Sequence, residues 1–172
     1  MAKGGKVNIP DLENFRKTLE QNLTGEQLNL FIESCAKELA ARLLAKVIKR
    51  TPVGDYSGTV NFTTKEGKQV SFTPHTGKKG GTLRRGWTAE KNQPAHEYAN
   101  SLKVHHFGDT YVIEIVNPVE YASYVEFGHR TKNHKGWVEG KFMLTTSEEE
   151  IQRDAPRVLE NKLKKKLGEC FK

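Results

Sequence analysis

The sequence predicts an α+β fold: an antiparallel sheet flanked by a long N-terminal helix and a C-terminal helix, with a projecting β-hairpin. Three observations predict it. Apolar residues recur at spacings of three and four over residues 25–50 and again near the C-terminus. Between residues 58 and 116 the apolar period falls to two. The candidate strands are bunched together between the helices instead of alternating with them, which favours helices packed on an antiparallel sheet. The 172 residues suit one domain. Residues 1–172 are therefore expected to form a single unit, with an N-terminal arm over 1–24 and a hairpin insertion over 54–80.

Taken in order, Pro10 and Asp11 mark a helix start, with Pro in the first turn. Leu12, Phe15, Leu19 and Leu23 then make a short amphipathic helix. Thr24 and Gln27 have capping-box spacing. A long helix follows to about Arg50, with Leu28, Ile32, Cys35, Leu39, Leu43 and Val47 along one face. Thr51-Pro52 ends it, because a residue before proline is pushed out of the α region. Val60 and Phe62, then Val70 and Phe72, alternate with polar residues around a Lys65-Glu66-Gly67-Lys68 turn and predict a hairpin. Its charged tip and few apolar residues suggest that it projects. Pro74 to Gly81 reads as a Gly/Lys-rich loop, and Thr82 to Glu90 as a third strand carrying Leu83 and Trp87. Leu102 to His106 and Tyr111 to Val116 read as a second hairpin about Gly108-Asp109, a pair suited to a two-residue loop. Glu120 to Phe127 is expected to be a short helix stopped by Gly128. Residues 129–141 are expected to form a polar loop anchored by Trp137. A last helix is expected from about Thr146 to Leu167, acidic at its start and basic at its end, with a kink at Pro156.

Composition narrows the function. No stretch approaches the roughly 20 apolar residues of a membrane span, and no apolar run near the start suggests a secretory signal. Cys35 and Cys170 make no disulfide framework and are expected to be free thiols in a reducing compartment. The net charge is +7. Residues 46–91 carry ten bases and three acids, whereas residues 92–140 are net acidic. A clustered excess suggests a polyanion or an acidic protein face as partner. The alternative is a solvated, Lys-rich surface.

Candidate chemistry is sparse. None of the six histidines pairs with a cysteine at zinc-ligand spacing. His96-Glu97 opens like a metalloprotease motif but lacks the second histidine. His105 and His106, adjacent on a strand, point to opposite faces. Gly77-Lys78-Lys79-Gly80-Gly81 does not fit phosphate-loop spacing. Cys35 lies on a buried stripe, where a thiol is more often core than nucleophile. Catalytic residues, metals and cofactors are therefore all expected to be absent.

Two segments carry a resemblance. One is Thr51-Pro52-Val53 at the end of the long helix, followed later by Thr82-Leu83-Arg84-Arg85-Gly86-Trp87. The other is Val119 to Gly128, containing Tyr121, Ala122, Tyr124, Val125, Glu126 and Gly128, with Phe142 ahead of the last helix. This resembles a family of neck proteins from long-tailed double-stranded DNA phages, also described as head–tail joining, tail-completion or minor tail proteins. The family is named after the tenth gene product of a lambdoid phage. The likeness spans about residues 25–168. Gly86 stands where the family pattern has Ser, His129 where it has Thr, and Lys141 where it has Pro. Roughly 27 residues separate two motifs that the pattern holds nearly contiguous.

The resemblance implies a non-enzymatic virion protein that forms a ring in the neck, sixfold or twelvefold. Its implied partners are copies of itself, a head-closure or connector protein, and a tail terminator or tail tube protein. Whether genomic DNA in the channel touches the ring is left open by the resemblance, and a membrane is not an implied partner. The implied location is the virion, and the host cytoplasm during assembly. Phe62, Lys65, Lys68, Phe72, Lys78 and Lys79 are the candidate inter-subunit contacts. Tyr121, Tyr124 and Phe127 suit either an interface or the protein's own core beside Trp87. Glu126 is expected to pair with Arg84 or Arg85, or to cap backbone N–H groups. The competing reading is a nucleic-acid-binding domain that contacts phosphates through residues 46–91.

Overall fold

The structure is a computed structural model and describes Lys17 and residues 25–55, 58–73, 80–89 and 93–170. The short helix expected before Leu23, the cap at Thr24, and Lys78 and Lys79 lie outside the described residues. Helix α1 spans Gly25–Arg50. Its buried face, Leu28, Ile32, Cys35, Leu39, Leu43 and Val47 with neighbours on either side, is the stripe that the helical period gives. It stops where expected: Thr51 still bonds back to the Val47 carbonyl, and Pro52 cannot continue.

The last helix, α5, spans Met143–Cys170 and starts three residues earlier than the sequence suggests. It continues through Pro156, which sits on the exposed side while Ala155 is fully buried. Helices α1 and α5 are antiparallel, and charge fixes their register. Arg50 pairs with Glu150 and reaches Ser147, while Lys46 pairs with Glu150 at 2.7 Å and Asp154 at 3.6 Å. Near the other end Lys162 meets Glu38 at 3.0 Å and the Ser34 carbonyl at 2.7 Å. Each half-exposed pair contributes only about 0–1 kcal/mol. The holding energy comes from the buried apolar seam, in which Ile32, Leu43, Leu44, Val47, Met143 and Ile151 have almost no exposed surface.

Among the described residues between these helices are three ribbons and three short helices, and here the structure corrects the sequence reading. Residues 82–86 form helix α2, Thr82–Gly86, not a strand. Leu83 and Trp87 are four apart, a spacing that keeps two residues on one face in either conformation. Gly81 at φ +93° opens the helix. A further helix, α3 (Ala95–Ser101), falls where a period of two was expected. It packs on α1, buries Ala99, and receives Lys37 on its Asn100 carbonyl at 3.0 Å.

The strands are β1 (Val60–Thr63) with β2 (Gln69–Phe72), β3 (His105–Phe107) with β4 (Thr110–Val112), and β5 (Gly128–Arg130) with β6 (Trp137–Glu139). Among the described residues they make three separate two-stranded antiparallel ribbons; the main core is helix on helix, with β3–β4 against α1 and β5–β6 against the helix that precedes it. The first two ribbons fall at the expected places. In β3–β4 the pair Phe107↔Thr110 encloses Gly108-Asp109, with Gly108 at φ +61°. This ribbon docks on α1 through Tyr111 to Asn29 at 2.8 Å and His106 to Glu33 at 3.0 Å. The third ribbon replaces the expected polar loop, and Trp137 does not anchor it, since 59% of its surface is exposed. Helix α4, Ala122–Phe127, starts slightly later than expected and ends at Gly128 as expected.

Candidate interaction surface

The motif segments meet in one buried node. Thr51 has no exposed surface. Its hydroxyl donates to the Val47 carbonyl at 2.6 Å and accepts the Trp87 indole N–H at 2.7 Å. Its carbonyl accepts two bonds from the Arg84 guanidinium, at 2.7 and 3.2 Å. The Leu83 carbonyl accepts the Asn117 amide at 2.8 Å, and the Asn117 side-chain oxygen accepts the Val119 N–H at 3.1 Å. A Cβ on Gly86 would lie 2.3 Å from that oxygen, so glycine is required here because Asn117 fills the space. The end of α1, helix α2 and the entry to α4 are thereby held together, with their polar groups paired as burial demands.

Helix α4 projects from this node with two faces. Ala122 and Glu126 are buried and Val125 is half-buried. Glu126 takes the backbone-capping alternative. Its carboxylate accepts the Leu144 and Thr145 N–H groups, both at 2.9 Å, and the Thr145 hydroxyl at 2.8 Å. A carboxylate here satisfies the orphan donors of the α5 N-terminus and complements its dipole. The expected arginine partners are committed elsewhere, Arg84 to Thr51 and Arg85 to the Gly80 carbonyl and Thr82. Glu148 lies near Glu126; burial, and then that neighbouring charge, push its pKa above the ordinary carboxylate range.

The outer face of α4 carries Tyr121, Tyr124 and Phe127, exposed by 46%, 59% and 60%. They do not pack beside the buried Trp87; Tyr121 instead lines an open pocket with Pro52, Val53 and Leu83. The Tyr124 and His129 rings lie 5.8 Å apart. Trp137, Val138 and Phe142 are also exposed on the segment that folds back against the end of α4. That segment is tied by Lys141 and Phe142 N–H groups donating to the Val125 and Glu126 carbonyls at 2.8 and 3.0 Å. Gly128, at φ +84°, lets β6 cross closely: a Cβ there would meet the Val138 carbonyl at 2.4 Å. Of the first motif, Pro52 and Val53 are exposed beside this region.

The β1–β2 ribbon carries a second apolar surface. Phe62 and Phe72, each about half exposed, meet edge to face at 6.5 Å. Lys65 and Lys68 are exposed at its tip.

Of the ten bases in residues 46–91, Lys46, Arg50, Arg84 and Arg85 are committed to internal bonds. Lys46 and Arg50 are neutralised there by Glu150 and Asp154, whereas Arg84 and Arg85 bond neutral oxygens and keep their charge. Exposed bases that composition did not single out cluster instead on β5–β6: Arg130, Lys132, Lys135 and nearby Lys141. Their signal was the Arg130-Thr131-Lys132-Asn133-His134-Lys135 run, masked by the acids elsewhere in residues 92–140. Cys35 is buried on α1, and burial pushes its thiol up to about 11, away from the reactive range.

No curated protein and no solved structure gives a significant match to the chain. A family model described as "Bacteriophage HK97-gp10, putative tail-component" matches residues 13–128. That span is more than half of the chain, and it takes in α1, the Thr51–Trp87–Asn117 node and α4. The chain belongs to this family of bacteriophage tail components, structural proteins of the virion.

Proposed function

We propose that the protein is a non-enzymatic adaptor that forms a closed ring in the phage neck and joins the head-closure or connector complex to the tail terminator or tail tube. The observation that carries this reading is the exposed aromatic face of α4. Tyr121, Tyr124 and Phe127 stand on a short helix fixed at both ends, by the Thr51–Asn117 node and by the Glu126 cap. Aromatic side chains on a rigid support are the usual anchors of interface cores, because little conformational freedom is lost on docking. The chain carries a second, different apolar surface on the β1–β2 ribbon. Two unlike surfaces on one subunit are what a heterologous, ring-closing interface requires. Phe62, Lys65, Lys68 and Phe72 then contact a neighbouring copy.

Assembly takes place in the host cytoplasm and the finished ring resides in the virion. Neutralisation of Lys46 and Arg50 by Glu150 and Asp154 counts against phosphate binding through residues 46–91 as the main role. The test is a Tyr124→Ser, Phe127→Ser double variant in an in vitro head–tail joining assay. Both residues are exposed, so the thermal midpoint should stay within a few degrees. Joining should fall by about tenfold or more, leaving filled heads and free tails. Joining at the wild-type rate and yield would refute the role assigned to this face.

A further inference from the structure

We infer that the β5–β6 ribbon is a contact surface for the phosphate backbone of double-stranded nucleic acid. Its exposed side chains are Arg130, Lys132, Lys135 and, just beyond β6, Lys141. Among the described residues none of these four is held in an ion pair, in contrast to the bases at the end of α1. Glu139 is the one acidic residue between positions 129 and 141. Free cationic head groups in such density attract a polyanion, and they pay little desolvation because the partner's phosphates remain hydrated.

The ribbon also has shape and order. Thr131, Asn133 and Gly136 close its loop with bonds of 2.6–3.2 Å. His134 takes φ +55° within that turn. The loop presents Lys132 and Lys135 from a fixed backbone, so binding orders little more than the lysine side chains. Arg130 lies opposite Trp137 in the ladder, and the exposed indole offers a flat surface next to a guanidinium. A two-stranded antiparallel ribbon also has the width to lie in a major groove. The aromatic surface of α4 adjoins the ribbon, with Tyr124 5.8 Å from His129, so an acidic protein face is the other occupant the test must separate: tighter binding of polyglutamate than of the duplex at the same salt overturns the inference.

The inference does not depend on ring formation, because it is tested on the free full-length subunit. A dye-labelled 25-base-pair duplex of mixed sequence is titrated with the protein at a series of salt concentrations, with anisotropy as the readout. Four neutralised phosphates give a slope of log K against log salt of about −3.6, at roughly −0.9 per phosphate. Lys132→Gln with Lys135→Gln should bring the slope to about −1.8. The Arg153→Gln, Arg157→Gln variant, at exposed positions of α5, should leave it unchanged. Trp137 fluorescence should change on binding, while the buried Trp87 gives a constant background. A slope shallower than about −1, or a wild-type slope in the Lys132/Lys135 variant, overturns the inference. So does equally tight binding to phosphatidylserine vesicles at matched charge, which would mark the ribbon as a generic anion attractor. All the substituted side chains are exposed, and an unchanged thermal midpoint verifies that each variant is folded.

Discussion

Thr51 shows how one side chain can organise a region. Its hydroxyl is both donor and acceptor in a place without water access, and its carbonyl holds Arg84. The Thr51→Val substitution keeps the shape but removes both hydroxyl bonds. It leaves the buried Trp87 N–H unpaired, which costs about 1–3 kcal/mol. Equilibrium urea unfolding should show that loss with an unchanged m-value, and an unchanged midpoint would mean that the indole finds another acceptor. Glu126 makes the same point from the other side. As a residue in the family motif it invites a functional reading. In the fold it is a structural cap that spends its whole charge on the first turn of α5. What the residues of this motif leave for function is the alternate face, Tyr121, Tyr124 and Phe127.

Among the elements, β1–β2 is the one whose stability depends most on what surrounds it. Two strands of four residues, with an edge-to-face Phe pair worth about 0.5–1.5 kcal/mol, are marginal in water. Amide hydrogen exchange over residues 60–72 should therefore be fast in the free subunit. In the assembled neck it should be slower by about a hundredfold. Equal protection in both states would exclude an assembly role for the ribbon. The elements also differ in how far the sequence exposed them. Helix α1 was legible because its stripe repeats over 26 residues and ends on Thr51-Pro52. The β3–β4 ribbon was legible because Gly108-Asp109 fixes its turn. Helix α2 was not, since Leu83 and Trp87 fit both periods. Helix α3 was hidden by its shortness and by having only Ala95, Tyr98, Ala99 and Leu102 as its inward residues. The β5–β6 ribbon was hidden because Trp137 and Val138 are both exposed and show no alternation. The choice between an arginine and a helix N-terminus for Glu126 depended on a tertiary contact 18 residues away, which no local pattern encodes.

For the whole molecule, the arrangement separates holding from reaching. The α1–α5 pair, the α3 buttress and the Thr51 node form a rigid body with its apolar residues inside. The surfaces left for partners are the α4 aromatics, the β1–β2 phenylalanines and the basic β5–β6 ribbon. They lie on separate elements, so substitutions in one should leave the others working. The central claim is that this body is a ring subunit whose α4 face is covered by another protein in the neck. A cryo-electron microscopy map of the intact phage neck tests it most directly. The account predicts a closed ring of this chain between head and tail, with Tyr121, Tyr124 and Phe127 of every copy buried against a neighbour. A map with this chain outside the neck, or with those three side chains open to solvent in every copy, would contradict it.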